Sequence, residues 1–130
     1  DTATTEIYKS RSSAASDVYK DSPNPEAIRR RELERLRISL SRLPADARLR
    51  IAALHYPPVA LDGSCLNEAK ALFVEFKIDI CVFGHIHGLT APLPAGADCR
   101  AGDTRCVLAS CDCVGFQPKL IWSDDVGRHR

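Results

Sequence analysis

Leu33, Leu36, Leu40 and Leu43 recur at three- and four-residue spacing, the period of one face of an α-helix. Asn24-Pro25-Glu26 stands ahead of them as a helix start: Asn can cap, Pro is preorganised for the first turn, and Glu complements the helix dipole. Pro44 ends the run, so the pattern predicts a helix over residues 24–43. The period then changes. Ile51, Ala52, Ala53 and Leu54 are continuously apolar, as in a strand buried on both faces, predicted over 49–55. After a loop at Asp62-Gly63, Ser64 is placed to cap a second helix reaching Phe76, with Leu66, Ala69, Leu72, Phe73 and Phe76 on its apolar side. A strand over 79–83 comes next, and strand–helix–strand is a crossover that sets the two strands parallel and near one another.

The Pro/Gly-rich stretch 91–102 reads as a loop or wide hairpin connection, and 105–110 and 118–122 as two further strands. Residues 1–23, rich in Ser, Thr and Ala without a period, read as a flexible connector. Residues 123–130 read as a polar tail in which His129 is solvent-exposed. The expectation is an α/β domain over 24–122 with two helices and about four strands.

Composition narrows the function classes. With 130 residues, 45% hydrophobic and 27% charged, the chain has room for one small globular domain. A net charge of +1 gives no general attraction to nucleic acid or to membranes. The cluster Arg29, Arg30, Arg31, Arg35 and Arg37 is interleaved with Glu26, Glu32 and Glu34, with pairing offsets at Glu26–Arg30 and Glu32–Arg35. It reads as a solvated helix face, and no aromatic residue accompanies it to stack on bases. No apolar run approaches the roughly 20 residues of a membrane span.

Six cysteines, at 65, 81, 99, 106, 111 and 113, lack the Cys-x2-Cys spacing of a zinc ribbon. Reduced structural thiols are the expectation, which favours a cytoplasmic setting. A zinc site or a loop disulfide of the Cys99–Cys106 type are the alternatives. Cys111-Asp112-Cys113 would place two thiols on one side of an extended segment.

The chemistry concentrates in the histidines. His55 ends the first strand, in Leu54-His55-Tyr56-Pro57-Pro58. His85 and His87 follow the second, in Val82-Phe83-Gly84-His85-Ile86-His87-Gly88. A strand end holds an imidazole on a rigid base, and Gly84 and Gly88 offer hinges on either side. A single His in such a place is ordinarily a hydrogen-bonded structural residue. Three at the shared edge of two parallel strands suit a metal site.

These residues resemble the last two motifs of the calcineurin-like metallophosphoesterases. The match is to a branch of predicted phosphohydrolases: Arg35-Leu36 to Ser39-Leu40, then Leu54 to Pro58, then Cys81 to Gly88. It runs over residues 32–121, roughly two-thirds of the chain. The resemblance implies the C-terminal half of an α/β/β/α sandwich and metal-assisted hydrolysis of a phosphoester substrate. It implies a binuclear Mn, Fe or Zn centre in the complete domain. His55 and His85 would bind one metal and His87 the other. Tyr56 is placed to border the substrate pocket, although packing in the core or loop is the more ordinary role for it.

The family's earlier motifs depart from this chain. Asp-x-His and Gly-Asn-His-Asp/Glu occur nowhere in it, and no Gly-Asp precedes His55 to supply a bridging carboxylate. The implied partner is therefore a missing N-terminal half of the domain. Two dications held close together repel strongly without carboxylates between them. The isolated chain is accordingly expected to hold at most one metal, weakly, and to hydrolyse phosphoesters poorly or not at all. A non-catalytic binding or regulatory module and a mononuclear three-histidine zinc hydrolase are the competing classes.

Overall fold

A computed structural model describes residues 24–124. The expected connector, all but the first two residues of the expected tail, and His129 lie outside the described residues. The first helix, α1, spans Pro25–Ser41, with Pro25 at its start and the Asn24 side chain accepting from the Ala27 N–H. Tight turns close it, as the Arg42 and Leu43 N–H groups bond back to the Ser39 and Leu40 carbonyls. Leu36, Leu40 and Leu43 are buried and Leu33 packs beside them, so the leucine period is the core face.

The arginine face is largely solvent-exposed, and two of its cations also tie the helices together. Glu32 takes Arg35 at 3.1 Å, but Glu26 pairs with Arg29, one residue short of Arg30. Arg29 also reaches Glu68 at 3.0 Å, and Arg37 grips Glu75 through two bonds of 2.8 and 2.9 Å. Both acids belong to the second helix, α2, Asn67–Glu75. Ser64 does not cap α2; its N–H and hydroxyl both go to Asp62 in the preceding turn, and Leu66 holds the cap position. The far end of α2 closes with the Ile78 N–H on the Phe73 carbonyl and the Lys77 N–H on Val74. That two-bond closure puts Lys77 at φ +54°, a place glycine usually fills.

Four strands form one mixed sheet in the order β1-β2-β4-β3: β1 Ile51–Leu54, β2 Ile80–Phe83, β3 Asp98–Ala101 and β4 Thr104–Leu108. β1, β2 and β4 are parallel, and β3 runs antiparallel to β4. β3 falls in the stretch read as a loop or wide connection. The turn is in fact two residues, Gly102-Asp103, with Gly102 at φ +64°. This is the chain's one Gly-Asp, and it turns a hairpin. Residues 118–122 form no strand.

Parallel register places Ala52, Cys81 and Cys106 side by side, with Leu54, Phe83 and Leu108 in the next such row. Both rows join Leu36, Leu40, Leu72 and Phe73 in one core, so both helices cover the same face. Buried Thr104 bonds its hydroxyl to the Ile78 carbonyl at 2.7 Å, which ties β4 to the approach of β2. On the opposite face Ala53 is exposed, contrary to a strand buried on both sides: among the described residues β1 is an outer strand, and the C-terminal segment lies over Val82 and Ala109 instead. A groove of about 440 Å³ remains there, between Val82 and Ala109 on the sheet side and Val114, Phe116 and Ile121. No helix among the described residues is long and apolar enough to cross a membrane.

Candidate metal centre

Parallel strands deliver their C-terminal ends to one edge, and three of them do so here. His55 follows β1, His85 to Gly88 follow β2, and Ser110 to Cys113 follow β4. The ladder continues past the strands: the Gly84 N–H bonds the His55 carbonyl at 3.1 Å, and the Ala109 N–H bonds the Phe83 carbonyl at 2.8 Å. All three loops therefore leave the sheet at one level.

His55 and His85 meet there. The His55 Nε2 lies 3.2 Å from the His85 Nδ1, with ring centroids 5.0 Å apart. Tyr56 packs its ring on both, 4.3 Å from His85 and 5.1 Å edge-on to His55. Two nitrogens bound tetrahedrally to one zinc would stand about 3.3 Å apart. The observed spacing suits joint ligation of a cation as well as an imidazole–imidazole hydrogen bond.

The backbone strain falls on a histidine. Gly84 is not among the residues with positive φ; His85 holds φ +74° and Gly88 φ +76°. The Ile86 N–H bonds the Gly84 carbonyl at 2.9 Å, which makes His85 the centre of a γ-turn, a strained form for a residue with a Cβ. A Cβ on Gly84 would meet the His55 carbonyl and the Ser110 Oγ at 3.8 Å, ordinary contact, so neither space nor backbone angle requires glycine there.

His87 is exposed and turns toward the β4 loop. Its Nδ1 lies 2.8 Å from Asp112 Oδ1, and the Gly88 N–H bonds Asp112 Oδ2 at 2.6 Å. The Gly88 amide, then His87, hold the Asp112 carboxyl down to about 2. Asp112 is thus the acceptor that fixes one ring nitrogen of His87 and leaves the other outward. Ligand atoms of His87, Asp112 and Cys111 all lie within 4.8 Å of one another.

Cys111-Asp112-Cys113 is not extended. The Phe116 N–H bonds the Cys111 carbonyl and the Val114 N–H bonds Ser110, so the segment coils and its thiols diverge. Cys111 is exposed; the Cys113 thiol turns inward to the Ile86 carbonyl. Ser110 is 5% exposed, and its Oγ has no hydrogen-bond partner among the described residues. The other cysteines serve the core. Cys81 and Cys106 are fully buried neighbours, burial pushes the Cys81 thiol well up, and Cys99 stands opposite Cys106 without a disulfide.

The sequence brought forward His55, Tyr56, His85 and His87. Of these, the structure joins the first three in one cluster and sets His87 with Asp112. In the sequence Asp112 stands between two cysteines without a motif of its own. The signal that singles it out is the parallel placement of β4 beside β2, which brings it to His87. Fold and site together define a mixed α/β domain with a histidine-bearing sheet edge. Comparison with protein-family models, with curated proteins and with solved structures finds no match to this chain.

Proposed function

We propose that the chain is the histidine-bearing half of a metal-dependent phosphoester hydrolase of the metallophosphoesterase type. The carrying observation is the convergence of His55 and His85, from the ends of adjacent parallel strands, to 3.2 Å between ring nitrogens. The donor set fits a divalent cation: neutral imidazoles meet at ligand spacing, and the strained His85 backbone suits a position held for chemistry. In the complete α/β/β/α sandwich two cations about 4 Å apart would polarise a phosphoester and activate a water. This chain's own residues orient that site. Tyr56 packs the two rings in place, and Asp112 fixes the orientation of His87 beside them.

Calorimetric titration of Mn2+ and Zn2+ tests the reading, with phosphomonoester and phosphodiester assays on the chain and on the full-length product of its gene. Metal binding that His55→Ala and His85→Ala each weaken, with hydrolysis by the full-length product, is expected. Unchanged metal binding in both variants would sink the reading. One tightly bound zinc per chain with hydrolysis by the chain alone would replace it with the mononuclear zinc hydrolase.

A further inference from the structure

Three imidazoles bring no negative charge to a cation, and no Gly-Asp motif precedes His55 in the sequence. The loop after β4 brings a different source of charge. We infer that His87, Asp112 and Cys111 form a separate nitrogen, oxygen and sulfur site for a single borderline-soft divalent cation, Zn2+ being the natural occupant.

The three ligand types are those zinc takes, and three protein ligands leave a fourth position open to water. Their ligand atoms already lie within 4.8 Å of one another, on two loops leaving neighbouring strands. Tetrahedral zinc needs them about 3.3–3.6 Å apart, so movements of about 1 Å complete the set. The side chains have that freedom: His87 and Cys111 are exposed, and Asp112 is only partly covered. One anchor holds throughout, since the Gly88 N–H can keep Asp112 Oδ2 while Oδ1 exchanges His87 for metal. A carboxylate and a thiolate would together neutralise the dication, which the His55–His85 pair cannot do. Metal entry displaces the Cys111 thiol proton to solvent. The site lies wholly within the described residues and needs neither His55 nor His85.

Co2+ replaces Zn2+ in such sites and reports sulfur directly, through a thiolate-to-metal absorption band in the near ultraviolet. Titration of the full chain with Co2+ is expected to produce that band at one equivalent. Cys111→Ser should abolish it, while Cys113→Ser, two residues away and turned inward, should keep it. The double variant His55→Ala/His85→Ala should also keep it, which separates this site from the proposed hydrolase pair. On the unaltered chain, saturating Zn2+ should slow alkylation of Cys111 roughly tenfold or more, read by peptide mass spectrometry. Absence of the band at saturating Co2+, its survival in Cys111→Ser, or alkylation of Cys111 indifferent to Zn2+ would each overturn the site. Failure of the phosphoesterase reading is marked differently, by metal binding indifferent to His55 and His85.

Discussion

Leu54 and Phe83 are direct partners in the parallel register of β1 and β2, and the next rung joins the Gly84 N–H to the His55 carbonyl. Phe83 therefore anchors the level at which both histidine loops leave the sheet. It is also among the largest fully enclosed side chains of the core. Phe83→Ala should lower unfolding free energy by about 3–5 kcal/mol, measured by urea denaturation. The same variant should bind Mn2+ and Zn2+ more weakly than its remaining folded fraction accounts for, because the His55–His85 spacing loosens.

Among the described residues Lys77, His85 and Phe116 hold positive φ despite their side chains, the first two for different reasons. Lys77 closes α2, and His85 centres the turn that presents an imidazole. Lys77→Gly and His85→Gly should each stabilise the fold by about 1 kcal/mol. Only His85→Gly should cost metal affinity. Thermal unfolding with and without Zn2+ separates them: added metal raises the midpoint of Lys77→Gly as it does the unaltered chain, and raises that of His85→Gly less.

Gly96 sits in the short 3-10 turn Ala95–Ala97, and a Cβ there would run into the backbone of Ala60 and Leu61. Backbone cannot rotate aside as a side chain can. Gly96→Ala should destabilise by about 1–3 kcal/mol. Gly115→Ala, where nothing lies within 4 Å, meets no such clash but is at φ +67° and should lose about 1 kcal/mol.

The six thiols should label in an order set by burial. Cys111 is exposed and reacts first with iodoacetamide. Burial raises the Cys65, Cys99 and Cys113 thiols, which leaves less thiolate at neutral pH and slows them. Cys81, held furthest up, and Cys106 should label only on unfolding. Raising the pH should accelerate the middle group most while the chain stays folded. Time-resolved peptide mapping reads the order, and early labelling of Cys81 would contradict its place between the sheet and the helices.

The Arg37–Glu75 pair should contribute little despite its two bonds, since both side chains are nearly half exposed. Arg37→Ala should leave the urea midpoint nearly unchanged, and any loss should shrink with added salt.

Much of the fold was legible in the sequence where one face of an element meets one core. The leucine period of α1, the apolar positions of α2 and the parallel β1–β2 pair all come from local spacing. What failed depended on partners distant in sequence. Asp98–Ala101 has a weak strand pattern and became β3 through its pairing with β4, although Gly102-Asp103 is itself a hairpin signal. Residues 118–122 have a strand's apolar content but no neighbouring ladder. The histidines announced themselves by motif. Asp112 did not, because a carboxylate between two cysteines acquires meaning only when β4 lies next to β2.

The common edge of β1, β2 and β4 also separates what the domain is from what it does. Beneath it, the rows Ala52–Cys81–Cys106 and Leu54–Phe83–Leu108 admit few replacements, since each must fit several neighbours at once. Above it, His55, His87, Cys111 and Asp112 hang on partly or fully open turns whose exchange leaves those rows untouched. Mutation can therefore rewrite the donors at this rim one at a time, without first undoing the sheet. A descendant of this chain could exchange these side chains, or lose them, and still fold.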